Sequence, residues 1–228
     1  MNNIQQFKKN ISIFLSYFIY TVIIFIPLSI LNIDITDLSQ TTKMLYLLIS
    51  DLLFLLILVK LYLKDIMQDL KNFKENFSDY LDEGMKCWII GLAIMTITNI
   101  LIAHFTKVKI ASNEQIIREI FPKAPIYMFF ATAIFAPIVE ELIFRKSIRH
   151  LLSNKWLYII MSGLVFGSLH VAGTMKSIYE LLYIIPYGSL GAAFAYLYYK
   201  TNNILNPIIM HTIHNTCLVL ILIFSYLK

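Results

Sequence analysis

The chain has 228 residues, of which 58% are hydrophobic and 14% are charged, and its formal net charge at pH 7 is +5. A soluble domain is usually about 45–50% apolar, with about a quarter of its residues charged. Together with a mean hydropathy of +0.71, this composition excludes a soluble globular protein and predicts a polytopic membrane protein in a lipid bilayer. The positive charge implies no nucleic acid, because lysines and arginines facing an anionic leaflet account for it.

The apolar runs approach the ~20 residues that a helix needs to cross a hydrocarbon layer. Between the second and third runs, residues 64–86 are charged and amphipathic at helical period, which predicts a connector lying on the membrane surface. The fold class is therefore an all-α transmembrane helix bundle of seven helices, or eight if the connector or the last run divides. The predicted spans are 11–31, 44–63, 87–105, 125–150, 156–172, 177–199 and 204–225.

The loops carry their basic residues unevenly, and this predicts the orientation of the chain. With the N-terminus inside, 12 of the 19 lysines and arginines fall on the inner side and seven on the outer side. Basic loops stay in the cytoplasm, so we expect a multi-pass protein of the cell membrane with a cytoplasmic N-terminus. The abundance of Ile, Lys, Asn and Tyr hints at a bacterial source, and the sequence leaves the oligomeric state open.

The fourth predicted span holds two adjacent carboxylates. Ionisable residues inside a span are functional candidates, because a charge in hydrocarbon is unfavourable. Glu141 and Arg145 are four residues apart, so they can pair on one face of the helix. Glu140 points about 100° away and has no local partner, which suits a base that activates water. Pro137 removes a backbone donor nearby, and we expect it to loosen the turn.

Two later spans each carry a pair of candidate residues at helical spacing. The pairs are Phe166 and His170 on the fifth span, and His211 and Asn215 on the last. At ~1.5 Å per residue, Glu140, His170 and His211 lie roughly 10 to 22 Å from the inner ends of their helices. Helix tilt absorbs several ångströms of this spread, so we expect the three to meet in one cavity. The alternative interpretation is a set of unrelated buried polar residues that hold helices together.

Small residues on the fifth and sixth spans predict a close helix contact. Gly163 and Gly167 form a GxxxG pattern, and Gly188 and Ala192 offer a matching small surface. In the second span Asp51 stands alone, and we interpret it as making a structural hydrogen bond or facing water.

Three short motifs resemble those of a known family. "EELIFR" (140–145), "FGSLH" (166–170) and "HTIHN" (211–215) are similar to the EExxxR, FxxxH and HxxxN motifs of the CPBP family. This family comprises type II CAAX prenyl endopeptidases and bacteriocin-processing or self-immunity (Abi) proteins. The resemblance implies a catalytic core at 125–217, preceded by N-terminal spans and connector at 1–124. Residues 218–228 would then be the end of the last helix, all in one membrane domain.

The resemblance implies an intramembrane endopeptidase, and we expect it to need no cofactor. Glu140 would activate water with help from His211, while His170 and Asn215 would stabilise the oxyanion. For a bacterial chain we expect a membrane-associated peptide or protein substrate, in peptide or bacteriocin processing or in self-immunity. Supporting roles would fall to the remaining motif residues, Glu141, Arg145 and Phe166.

Three alternatives stay open at this point. Glu140, His170 and His211 could hold Zn²⁺ with an open position for water, although the sequence has no HExxH. The protein could also be a non-catalytic membrane immunity or regulatory protein that works by binding. A proton-coupled transporter is the third alternative, although the short chain shows no two-fold repeat of broken helices.

Overall fold

The computed structural model describes residues 3 to 226, which form helices joined by short turns. Seven helices are long and apolar enough to cross a membrane, and we number them span 1 to span 7 in chain order. Since residues 3–226 contain no strand, the predicted all-α bundle is confirmed, with seven spans. Their bounds are Ile4–Ile30, Gln40–Glu75, Phe77–Phe105, Pro125–Leu151, Lys155–Ala172, Ile178–Thr201 and Leu205–Tyr226.

The prediction of a surface connector at 64–86 is wrong. Span 2 is one continuous helix of 36 residues, about 54 Å long, and span 3 begins two residues after it ends. Asn76 makes the turn between them, where its side-chain amide and its backbone N–H both donate to the Asn72 carbonyl. The polar stretch is amphipathic because the helices continue past the ~30 Å hydrocarbon layer and still bury one face, which includes Phe73.

Charged residues tie this end of span 2 to the rest of the bundle. The Lys146 ammonium, almost fully buried near the end of span 4, lies 3.3 Å from an Asp65 carboxylate oxygen. The Asp69 carboxylate accepts from the backbone N–H of Ile204 at 3.1 Å, and its carbonyl accepts from the Asn203 amide at 2.7 Å. Span 2 is thereby fixed to the turn between spans 6 and 7.

Spans 5 and 6 pack backbone to backbone, as their small residues predict. A Cβ atom at Gly163 would lie 2.7 Å from the Gly188 carbonyl oxygen and 3.0 Å from the Ala192 methyl group. At Gly167 it would lie 2.5 Å from the Ile184 carbonyl oxygen. Only glycine fits these positions. The close contact fixes the face of span 5 that carries the second motif.

Asp51 joins three spans through hydrogen bonds, so one of the two interpretations of this residue is confirmed. Its carboxylate is buried and accepts from the Tyr20 hydroxyl at 2.5 Å and from the Tyr127 hydroxyl at 3.1 Å. Tyr20 lies on span 1 and Tyr127 at the start of span 4. A buried carboxylate with two hydroxyl donors is stabilised without a counter-ion.

A short amphipathic helix, Ser112–Ile120, precedes span 4. The Glu180 carboxylate at the start of span 6 accepts from the Ser112 backbone N–H at 3.0 Å and hydroxyl at 2.9 Å, and from the Lys176 N–H at 3.0 Å. The Tyr226 hydroxyl donates to the Arg118 carbonyl at 2.7 Å. These bonds hold the short helix against the ends of spans 6 and 7.

The contact between spans 5 and 6 predicts that one added methyl group at Gly167 lowers the stability of the protein. Gly167→Ala should destabilise the protein by about 1–3 kcal/mol, because the new Cβ meets backbone atoms that cannot rotate away. We expect this clash to outweigh the ~1 kcal/mol of helix propensity that alanine adds. Thermal unfolding in detergent measures the change.

Gly173→Ala is the matched control, since a Cβ at Gly173 meets nothing within 4 Å. Its effect should stay within about 0.5 kcal/mol. Equal unfolding temperatures for the two variants would contradict the close contact.

Candidate active site

Span 4 alternates between α and π turns. Two π segments, Phe130–Phe135 and Glu141–Ser147, flank the α segment Ala136–Glu140. Single π turns inside helices occur frequently at functional sites. Here they bracket the paired glutamates, and the predicted loosening of the helix near Pro137 is confirmed.

Asn215 satisfies a carbonyl that this backbone geometry leaves without a donor. In the first π segment the Ala136 N–H donates to Ala131, five residues back. The next donor in this pattern would be Pro137, which has no N–H, so the Thr132 carbonyl receives none from it. The Asn215 side-chain amide donates to that carbonyl at 2.7 Å. Asn215 thus uses one N–H to join span 7 to the loosened turn of span 4.

Glu141 lies at the centre of a buried charge network. Its carboxylate and the Arg145 guanidinium are both fully buried, and Glu141 Oε2 lies 3.1 Å from Arg145 Nε. The other carboxylate oxygen lies 2.9 Å from His211 Nδ1. A carboxylate paired with arginine accepts hydrogen bonds, so His211 carries its proton on Nδ1 and donates it. The predicted Glu141–Arg145 ion pair is confirmed, and the bond to His211 is additional.

Glu140 faces the other nitrogen of the same imidazole. Its Oε2 lies 3.9 Å from His211 Nε2, is buried, and has no hydrogen-bond partner within residues 3–226. With the proton on Nδ1, Nε2 of neutral His211 is an acceptor. Two acceptors 3.9 Å apart can both receive hydrogen bonds from one water molecule, which would sit about 2.8 Å from each. The arrangement suits the binding and deprotonation of water.

His170, on span 5, has the same tautomer as His211, with its proton on Nδ1. Its Nδ1 lies 2.9 Å from the Phe166 carbonyl oxygen; since a carbonyl only accepts, Nδ1 is the donor. Its ring stacks on Tyr187 of span 6 at a centroid distance of 4.7 Å, and it lies near Glu140. Nε2 can therefore donate to a negatively charged oxygen only when the imidazole is protonated.

The Phe166 side chain lies against three polar groups of the site. Its ring centroid lies 4.3 Å from the Arg145 guanidinium carbon, 4.4 Å from the His170 ring and 5.8 Å from the His211 ring. A guanidinium over an aromatic face is stabilised, more so when both are desolvated. The spacing of the second motif thus lets one helix face hold a cation–π partner and an imidazole together.

The structure brings six of the seven predicted residues around one point, while Asn215 lies one turn along span 7 and contacts span 4. His214, within the third motif, is on a different face: Trp88 of span 3 donates its indole N–H to His214 Nδ1 at 3.2 Å. The six residues brought together are Glu140, Glu141, Arg145, Phe166, His170 and His211.

Two tyrosines near the site carry no motif signal. Tyr187 stacks on His170. Tyr17 of span 1 packs against Phe144 at 5.1 Å between ring centroids and lies near Glu140. An aromatic residue in an apolar span is ordinary, so spacing alone does not single out either one.

The zinc alternative can be tested against the donor atoms themselves. Both histidines donate from Nδ1 and leave Nε2 free, as a zinc-bound imidazole does. Within the described residues, however, no group of three or more His, Cys, Asp or Glu side chains is placed to hold a metal ion. As placed, Glu140, His170 and His211 do not fit Zn²⁺.

The buried network predicts that two arginines contribute very differently to the stability of the protein. Arg145→Gln leaves the fully buried Glu141 without its counter-charge and should destabilise the protein by about 3–5 kcal/mol. Arg118→Gln removes a half-exposed partner of Glu114 and should change stability by about 0–1 kcal/mol. Thermal and denaturant unfolding in detergent compare the two. Similar losses would mean that the Glu141–Arg145 pair is not held in a dry interior.

Part of the chain is similar in sequence to known proteins. Residues 122–217 match the family model described as "Rce1-like: Type II CAAX prenyl endopeptidase Rce1-like". The Bacillus subtilis (strain 168) protein named "Putative membrane peptidase YdiL" is 32% identical over 113 residues, which cover 48% of this chain and 43% of that relative. "UPF0177 protein YxdF" of Lactococcus lactis subsp. lactis (strain IL1403) is 27% identical over 131 residues, which cover 55% of this chain and 70% of the relative.

The aligned region thus spans less than half the length of the first relative. No solved structure gives a significant match. The matched residues 122–217 include all three motifs and every residue of the network described above. The predicted resemblance to type II CAAX prenyl endopeptidases is confirmed for residues 122–217, which we call the Rce1-like segment because they match that family model.

Proposed function

We propose that the protein is an intramembrane endopeptidase that hydrolyses a peptide bond of a membrane-associated peptide or protein. The observation that carries the proposal is the pair of acceptors, Glu140 Oε2 and His211 Nε2, that face each other across 3.9 Å. The Rce1-like segment and the name of the Bacillus subtilis relative support peptidase chemistry.

In the first step, water donates one O–H to Glu140 and the other to His211. Glu140 takes a proton as the water oxygen attacks the carbonyl carbon, forming a C–O bond and a tetrahedral oxyanion. The hydrogen bond that His211 donates from Nδ1 to Glu141 keeps His211 in the tautomer that accepts from water. Arg145 keeps Glu141 ionised beside it. The network therefore acts on the water through a single imidazole.

In the second step the tetrahedral intermediate collapses. The C–N bond breaks, Glu140 returns its proton to the leaving nitrogen, and the products are a carboxylic acid and an amine. Protonated His170 and the second N–H of the Asn215 amide are the groups that would stabilise the oxyanion. In this scheme His170 works as an imidazolium and His211 as a neutral imidazole, so the two histidines have different roles.

For the substrate we propose a peptide precursor with an apolar segment in the membrane, in peptide or bacteriocin processing or in self-immunity. The site residues belong to spans 4, 5 and 7, so a substrate must reach them inside the bundle.

Glu140→Gln is the decisive variant. It removes the base with little change in size, and turnover should fall by about 100- to 10,000-fold. Peptides from cells with the intact gene, the Glu140→Gln gene and no gene are compared by mass spectrometry. A cleavage product should be present only with the intact gene, and the purified protein should then cleave that peptide in liposomes.

Glu114→Gln is the matched control, since Glu114 is half-exposed on the short helix, and it should leave turnover unchanged. If the Glu140→Gln protein is folded and cleaves as well as the parent, the proposed mechanism is wrong. If that variant fully replaces the parent in any cellular role while no product appears, the protein works by binding and is not an enzyme.

A further inference from the structure

Two cations and four aromatic rings gather where spans 4, 5 and 6 reach the same membrane face. The Arg149 guanidinium carbon lies 4.9 Å from the centroid of the Tyr199 ring, and the Lys155 ammonium lies 5.4 Å from the same centroid. Lys155 is also 4.7 Å from the Trp156 ring and 5.0 Å from the Tyr196 ring. The basic–aromatic cluster consists of Arg149, Lys155, Trp156, Tyr158, Tyr196 and Tyr199.

Neither cation of this cluster is neutralised by the protein. In the described part of the chain, no Asp or Glu oxygen lies within 4.0 Å of Arg149 or Lys155, whereas nearby Lys146 and Lys200 each have such a partner. Arg149 donates one N–H to the Leu152 carbonyl at 3.2 Å. Two like charges that share one aromatic ring repel each other, and a bound anion would remove this repulsion.

An exposed apolar stripe begins beside the two cations. Trp156, Ile160 and Leu164 are 62%, 54% and 48% exposed, and they follow one another at four-residue steps along span 5, so they share one helix face. The cluster lies at the first residues of this span, where tryptophan marks the edge of a bilayer. A charged site at the membrane edge therefore continues directly into a surface that faces acyl chains.

We propose that the basic–aromatic cluster binds the phosphate of an anionic phospholipid, whose acyl chain lies along the stripe of Trp156, Ile160 and Leu164. The phosphate sits between Arg149 and Lys155 and neutralises both. The adjoining stripe favours a lipid over a soluble anion, because a soluble anion would leave that apolar surface unused. None of the residues of this cluster belongs to the candidate active site. Lipid binding here therefore does not depend on the proposed peptidase activity.

The test measures lipid binding to the full chain purified in detergent. Dioleoylphosphatidylglycerol and dioleoylphosphatidylcholine are titrated separately, and binding is followed by native mass spectrometry and by the rise in unfolding temperature. The parent should bind phosphatidylglycerol preferentially. The double variant Arg149→Gln, Lys155→Gln should bind it on the order of tenfold more weakly, since each basic residue near the surface contributes to attraction, while phosphatidylcholine binding should not change.

Lys64→Gln with Lys74→Gln is the control pair, because it removes the same charge from exposed lysines near the same face. Its affinity for phosphatidylglycerol should stay within about twofold of the parent. If the double variant does not fold, Lys155→Gln alone, at a half-buried position, should weaken binding several-fold, and the charge-preserving Lys155→Arg should not.

Three results would overturn the proposal. Equal affinity for the two lipids would show that the phosphate charge is not selected. An equal loss in the Lys64 and Lys74 pair would show a diffuse surface effect. Full competition by inorganic phosphate alone would identify a soluble anion as the occupant.

Discussion

The bond from His211 Nδ1 to the Glu141 carboxylate is the interaction on which the rest of the site depends. It is anchored by Arg145, which lies 3.1 Å from Glu141 and is fully buried. An unpaired carboxylate inside a protein is strongly unfavourable, so the ion pair is what allows Glu141 to remain at this depth. Because the Glu141 carboxylate accepts from Nδ1 of the His211 ring, the other nitrogen, Nε2, faces Glu140. The two adjacent glutamates thus have different environments. Glu141 lies against the Arg145 guanidinium and accepts a hydrogen bond from His211. Glu140 faces the other nitrogen of His211 across 3.9 Å.

Helical spacing was enough to predict much of this site. The four-residue steps from Glu141 to Arg145 and from Phe166 to His170 place side chains on one face of each helix, and the structure contains the contacts that follow from them. The glycines of span 5 likewise predict its contact with span 6. What spacing cannot provide is the pairing between helices. Which glutamate contacts His211 depends on the rotation of span 7 against span 4, and the π turns of span 4 shift that rotation.

Other features were missed for equally physical reasons. The polar stretch at 64–86 has the same periodicity whether a helix lies on a membrane or extends beyond it against neighbouring helices, so the pattern was compatible with both. For Asn215 the family resemblance implies a donor to an oxyanion, but its bond to Thr132 depends on a π turn that the sequence shows only indirectly, through Pro137. Tyr17 reaches the site from a part of the chain without motifs.

The backbone contact between spans 5 and 6 also limits how the bundle can open. An extended peptide needs about 4.8 Å beside any backbone it lies against, and the glycines leave no such gap between these two helices. Parting them would break contacts along both backbones at once. Spans 5 and 6 therefore behave as one rigid unit. A peptide substrate of the proposed reaction would have to enter between other spans of the bundle.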